Sequence, residues 1–241
     1  MNELDYRTAG DTGILIIFGR EINEETLQRV MAFEKHIGDC DLPGIVEIQR
    51  SFCALRISYD PSEIDYGTLV SHLNALEQKL SNEKVSFQKS RVIEIPAVYG
   101  GEYGPDLTFV ANHVNASEEE VIRRHLSSDY LVYVTGHIGG SAFYKGNDEL
   151  FNLTRKKTPV IFYPAGAVLV ANGMGCTLKA ADGPTAWYAL GRSPLRQWNP
   201  QKDPPTLINA GDCIRYRRIN ENEFHRIKRE VDQDTYKLKY L

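Results

Sequence analysis

Cysteine is scarce in this chain. The 241 residues hold four, at Cys40, Cys53, Cys176 and Cys213, far apart and with no CxxC pair. A disulfide scaffold is not needed at this size, and reduced structural thiols fit a cytoplasmic protein. Long apolar runs are missing as well. The best candidate, Pro159 to Ala171, is broken by Pro164 and Gly166, so no membrane span is expected. The start MNELDYRTAGD has two acidic residues and no apolar core, which is not a signal-peptide pattern. An excess of one charge is also absent. Lys plus Arg is 28 against 32 Asp plus Glu, a formal net charge of -4. A broad nucleic-acid surface is therefore not expected. What is present is ordinary: 42% hydrophobic and 25% charged residues, values that exclude disorder or collagen as descriptions of the whole. The length fits one large domain or two small ones.

The chain has two rhythms. In the first, strand and helix alternate. Ile14 to Phe18 is an apolar run after the Gly10-Asp11 turn signal. Asn23 can cap the following helix, where Leu27, Val30, Met31 and Ile37 recur near helical spacing. Ile45 to Ile48 and Cys53 to Tyr59 read as strands, with Leu55, Ile57 and Tyr59 on one face. Asp65 can cap a second helix carrying Leu69, Leu73, Leu76 and Leu80. A small sheet with both helices on one face, over residues 1–88, is the economical packing. Val92 to Ile95 is a further strand.

The second rhythm fills 89–241. It opens on IPAVYGGEYGPD, rich in turn residues. Asp106 can cap one short helix, and Ser117 with Glu120 forms a capping box for another. Short apolar segments follow, broken by glycine and proline: 130–134, 160–163, 167–171, 186–190 and 213–216. That pattern predicts a β-barrel or sandwich. The charged tail from Glu221, with Phe224, Ile227 and Val231, can dock as a helix or fray.

Several constellations could carry chemistry. Gly100, Gly101 and Gly104 can expose N–H groups to an anion at a helix start. The loop has no lysine and no GxxxxGK[ST], however, and Glu102 and Asp106 would repel a phosphate without a metal. His137 and Ser141 sit in the glycine-rich stretch 136–141, which is not a GxSxG elbow. It reads as a polar pocket or a structural loop. His113 and His125 could reach it in three dimensions. No HExxH or close His–Cys ligand pair exists, so no metal site is expected. Arg192, in LGRSPL, can offer its fork of donors to an anion or pair within the domain. Trp198 reads as a surface aromatic and Trp187 as core. The basic run Arg215, Arg217, Arg218, Arg226, Lys228 and Arg229 is interrupted by glutamates, and reads as a solvated face or an acidic-partner site.

Taken in order, GDTGILIIFG, PGIVEIQRSFCALRISYDP, IPAVYGGEYGPDL, YLVYVTGHIGG, YPAGAV, LGRSPLRQWNP and INAGDCIRYRRI resemble the family of bacterial 5-oxoprolinase B-type subunits, also called the KipI or allophanate hydrolase subunit 1 family. The resemblance runs from about Gly10 to Phe224. It implies an α+β ferredoxin-like domain, 1–88, followed by a mainly β cyclophilin-like barrel, 89–241. It implies a non-autonomous component that works with homologues of the enzyme's C-type and A-type subunits to open 5-oxo-L-proline to glutamate with ATP, with or without magnesium. Other members are described as inhibitors of a sporulation histidine kinase, and relatives are fused into urea-processing enzymes. Prolyl isomerase activity does not follow from a cyclophilin-like fold. The family's GGEFGPDL falls on Gly100, Gly101, Glu102, Tyr103, Gly104, Pro105, Asp106 and Leu107, and its GRTP on Gly191, Arg192, Ser193 and Pro194. Two stretches depart from the family's pattern: GHIGGSAFYKG, 136–146, and the region of 173–179 with its end at 183–187. Loops are expected there, with an altered ligand pocket. On this reading Glu102, Asp106 and Arg192 are the catalytic candidates. Gly100, Gly101 and Gly104 would contact cofactor, and His137, Ser141, Tyr103 and Trp198 would line a substrate or partner pocket.

Overall fold

A computed structural model of the protein describes residues 4–40, 42–81, 91–136 and 140–241. The chain divides into two compact units, Met1–Gln88 and Lys89–Leu241. No helix among the described residues is long and apolar enough to cross a membrane.

The first unit runs β1 (Asp5–Thr8), β2 (Gly13–Ile17), α1 (Glu24–Asp39), β3 (Ile45–Arg50), β4 (Ala54–Tyr59) and α2 (Tyr66–Ser81). Its strands form an antiparallel sheet in the order β1-β2-β4-β3. Ile14 faces Ile57 and Ile16 faces Leu55 across the β2–β4 pair. These four pack with Val30, Phe33 and Ile37 of α1 and with Leu69 and Leu73 of α2. Period-2 strands thus present one apolar face, and both helices cover it. Asn23 Oδ1 accepts from the Thr26 N–H at 2.8 Å, and Asp65 Oδ1 from the Thr68 N–H at 3.0 Å. Both helices are therefore capped as their sequences predict.

The second unit holds β5 (Val92–Tyr99), α3 (Leu107–His113), α4 (Glu118–Leu126), β6 (Tyr130–Gly136), β7 (Ser141–Lys145), a 3-10 turn (Glu149–Phe151), β8 (Val160–Tyr163), β9 (Ala167–Ala171), β10 (Met174–Thr177), β11 (Gly183–Thr185), β12 (Tyr188–Arg192), β13 (Cys213–Arg218) and α5 (Glu221–Asp232). Seven strands close into a barrel in the order β10-β7-β6-β13-β5-β12-β9. β5 and β13 pair in parallel. The tail docks rather than frays: Asn220 caps α5, and Phe224 and Ile227 are buried.

Three expectations are corrected here. The 136–146 stretch is not wholly loop, because Ala142 and Tyr144 alternate inward and make β7. His137, Ile138 and Gly139 lie outside the described residues. Residues 174–177 likewise form a barrel strand, β10, rather than loop. And 160–163 is not a barrel strand. β8 pairs with β11 in a separate two-stranded ribbon, and Ile161 and Phe162 face outward at 87% and 62% exposure.

Candidate functional site

The GGEYGPD turn is a backbone lock. Gly100 and Gly101 take φ of 71° and 54°, the left-handed region that glycine adopts most easily. The N–H groups of Gly100, Tyr103, Gly104, Asp106 and Leu107 all donate to backbone carbonyls, those of Gly100 and Asp106 to Leu190 and Ala189. A Cβ on Gly104 would stand 1.9 Å from the Leu190 carbonyl oxygen, so only glycine lets the turn lie on β12. Of the anion cradle expected of Gly100, Gly101 and Gly104, the Gly100 and Gly104 donors are already engaged by backbone carbonyls.

Asp106 does not cap α3; no side-chain cap bond is made there. Its carboxylate turns across the fold. It accepts from Lys156 Nζ at 2.7 and 2.8 Å, from the Tyr163 hydroxyl at 2.7 Å and from the Ala189 N–H at 2.8 Å. The ammonium also lies 5.5 and 5.2 Å from the rings of Tyr163 and Tyr188. With both side chains about 15% exposed, this is a satisfied, mostly buried ion pair, which removal of either partner would leave uncompensated. Its role is to fasten the segment around Lys156, whose own N–H donates to the Ala186 carbonyl at 2.8 Å.

That fastening builds the back of a cavity of about 330 Å³ on the outer wall of the barrel. Along β7, β9 and β10, residues alternate between two cores. Ala142, Tyr144, Val168 and Val170 belong to the main core, whereas Leu169 and Cys176, with Phe143 packed against them, form a second cluster. Cys176 faces Phe143 on one side and Leu169 on the other. This row is the cavity floor. Trp187, in edge contact with Phe143 at 5.8 Å, makes a wall. Ser141, Arg155, Lys179 and Thr185 supply its polar groups. Among the described residues the lining holds two cations and no carboxylate.

The polar groups differ in how far they are engaged. Ser141 Oγ accepts from the Ala180 N–H at 3.1 Å. Lys179 Nζ donates to the carbonyls of Tyr163, at 3.3 Å, and Ala181. It forms no ion pair among the described residues. Burial lowers its pKa, with Asp182 opposing. Arg155 stacks its guanidinium over the Trp187 ring at 5.6 Å and has no carboxylate partner there. The Cys176 thiol is pushed up to about 12 by burial, so it is inert as a nucleophile. A larger cavity, about 400 Å³, lies between 195–207 and the C-terminal segment. There the three cations, Arg91, Arg196 and Lys202, are paired with Asp212, Asp232 and Asp234, which leaves no unmatched cation for an anionic ligand.

The other sequence candidates lie away from this cavity, and Glu102, Tyr103 and Arg192 come together around Phe224. Glu102 is exposed. Tyr103 is buried against Phe224, ring centroids 5.0 Å apart, and is a core residue rather than a pocket one. Its phenol is pushed up by burial and by the carboxylates of Glu221 and Glu102, with Arg192 opposing, so these groups share one neighbourhood. Arg192 Nε donates to the Ala165 carbonyl at 2.9 Å, and its guanidinium stands over Phe224. Neither Glu102, Arg192 nor Trp198 lines the outer-wall cavity. Trp198 is 40% exposed. Five cations of the basic run are matched, Arg215 with Asp129, Arg217 with Glu94, Arg218 with Glu119, Arg226 with Glu230 and Lys228 with Asp232, while Arg229 is exposed. His125 is fully buried, between the hydroxyls of Tyr99 and Tyr144 at 2.8 and 3.0 Å. Burial brings its pKa down to about 3, so it cannot serve as a base to Ser141. No group of three or more His, Cys, Asp or Glu that could hold a metal occurs among the described residues.

Sequence reasoning missed Arg155, Lys179 and Trp187. The one available signal was that Ser141, Cys176, Lys179 and Trp187 all fall in the two stretches that depart from the expected pattern.

The chain belongs to the carboxyltransferase C and D subdomain family: the model of that family, "Carboxyltransferase domain, subdomain C and D", matches residues 4–208. The urea carboxylase of Kluyveromyces lactis shares the fold at 20% identity and TM-score 0.79, over 99% of this chain and 24% of that one. Within that class, the chain belongs to the family of 5-oxoprolinase B-type subunits. It is 35% identical to the B-type subunit of 5-oxoprolinase from Bacillus subtilis, over 92% of this chain and 95% of the relative. The solved structure of TTHA0988 is similar at 28% identity and TM-score 0.73, over 86% of this chain. The match spans 40% of the TTHA0988 chain.

Proposed function

We propose that this chain is the B-type subunit of an ATP-dependent 5-oxoprolinase, a non-autonomous partner of C-type and A-type homologues that opens 5-oxo-L-proline to L-glutamate. The observation that carries this reading is the similarity to the Bacillus subtilis protein over 95% of that protein's length. The lesser elements of the reading follow with it: a ferredoxin-like first unit, a cyclophilin-like barrel and a cytoplasmic location.

The chemistry explains why the chain would not act alone. Water must add across an unstrained lactam C–N bond, and the ring nitrogen must leave as an amine. That requires an activated carbonyl and donors for the developing oxyanion. The glycine turn offers little to a nucleotide's phosphates, since the amides of Gly100 and Gly104 are engaged and Lys156 is held by Asp106. ATP therefore belongs, in this reading, to the partner proteins. This chain contributes a substrate-facing surface, and the outer-wall cavity is the best-formed candidate for it.

The test is reconstitution. Purified chain is combined with its A-type and C-type partners, and glutamate release from 5-oxo-L-proline is measured with and without ATP. Release that needs ATP and all three proteins is expected. Full activity without this chain would sink the assignment, as would stable capture of a histidine kinase and no C-type partner from the native cell.

A further inference from the structure

We propose that the outer-wall cavity is a binding site for a small ring carboxylate, with Lys179 and Arg155 taking the anion and Trp187 and Phe143 the flat ring. The proposal rests on the 5-oxoprolinase reading only for the choice of ligand.

Charge is the first argument. A cation taken partly out of water needs an anion or enough acceptors. Elsewhere in this unit, Lys156, Arg215, Arg217, Arg218 and Arg226 each meet a carboxylate. Half-buried Lys179 forms no ion pair among the described residues, Asp182 acting on it only at longer range, and exposed Arg155, over the Trp187 ring, lines the same cavity. Lys179 has two carbonyl acceptors for three N–H donors, so one donor is left for a ligand. Arg155 is fixed by stacking on Trp187, and its planar fork of donors suits a carboxylate.

Shape is the second. A volume of about 330 Å³ is at the small end of ligand pockets and suits a single ring with a short substituent. The floor of Phe143, Leu169 and Cys176 is apolar, and the Ser141 and Thr185 hydroxyls provide a polar edge. A five-membered lactam bearing one carboxylate meets each surface with its matching group: anion to cations, ring to aromatics, amide to hydroxyls.

The test is calorimetric titration of the full chain with three probes. They are 5-oxo-L-proline, 2-pyrrolidinone, which lacks the carboxylate, and cyclopentanecarboxylate, which lacks the amide. Binding of 5-oxo-L-proline at one site is expected, with 2-pyrrolidinone at least tenfold weaker. Arg155→Gln, at an exposed side chain, and Lys179→Met should each weaken it about tenfold, and Lys179→Arg should restore part. Equal binding of cyclopentanecarboxylate would keep the anion site and remove the lactam as its ligand, which counts against the 5-oxoprolinase reading. If no carboxylate binds better than 2-pyrrolidinone, or if both Arg155→Gln and Lys179→Met leave affinity unchanged, the site is overturned even where reconstituted activity is found.

Discussion

Lys156 and Lys179 stand in the same barrel unit, both half-buried, yet they are held in opposite ways. Lys156 meets a carboxylate through two short contacts, with a tyrosine hydroxyl and a backbone N–H completing that carboxylate's shell. Lys179 meets only carbonyl oxygens. The first arrangement closes on itself and leaves nothing to offer. The second keeps a partly buried positive charge with no direct ion pair, only the more distant Asp182, so an incoming anion has a donor to meet. Charged residues in a sequence motif are therefore poor guides by themselves. Asp106 carries the motif, but its chemistry is consumed in holding the fold.

The comparison can be broken at its glycine end. Gly104→Ala would drive a methyl group into the Leu190 carbonyl. It is expected to cost more than the roughly 3 kcal/mol usual for overpacking, seen as loss of the barrel unit's urea transition. Gly101→Ala, with open space around it and φ of 54°, should cost only about 1–2 kcal/mol. Similar losses from the two variants would mean that the turn is not seated on β12.

Next comes the contrast between the lysines. Lys156→Met leaves the Asp106 carboxylate buried and unpaired, at a cost of about 3–5 kcal/mol. Lys179→Met should cost about 1 kcal/mol, because it strands only carbonyls that can reach water or relax. Denaturation of the two variants side by side reads the difference, and equal losses would make Lys179 structural too.

The barrel interior gives a third standard, a histidine sealed between two tyrosine hydroxyls. His125 is held neutral, with a folded pKa of about 3 against 6.5 for a free imidazole. Between those values the unfolded chain binds a proton that the folded chain refuses. Stability from this site is thus complete above pH 6.5 and falls as pH drops, by about 1.4 kcal/mol per unit. His125→Gln should flatten that part of the pH–stability curve, and an unchanged slope would place the histidine in water. The smallest effect concerns the cavity floor. Iodoacetamide at pH 8 should modify exposed Cys40 and spare Cys176, read by peptide mass. Rapid labelling of Cys176 would show a far more open wall.

Local signals were the legible ones. Asn23, Asp65 and Ser117 cap helices, and alternation in 54–59 marks a buried face. Signals that depend on a distant partner were not. Asp106 looks like a cap, but its ligands Lys156, Tyr163 and Ala189 come from far along the chain. Glu120 follows Ser117 at capping-box spacing, yet its carboxylate pairs with Arg123 and Arg124 instead. β1 escaped notice because DYRT is polar and mostly exposed, a strand only through its pairing with β2. β7 hid inside a glycine-rich stretch. The cavity was hidden for the same reason: its floor needs three strands in register, and its cations come from segments that the motifs do not cover.

The parallel pairing of β5 with β13 bears on how the chain is made. β5 opens the second unit and β13 is its last strand, with nearly the whole unit between them. A growing chain can complete the first unit from near-neighbour pairings while later residues are still inside the ribosome. The barrel has no such option, since such long-range contacts form late. Until Cys213 to Arg218 has emerged, β5 lacks its parallel partner and the apolar strands already made have no closed interior. Synthesis of this protein thus passes through a stage in which one half is native and the other waits on its final strand.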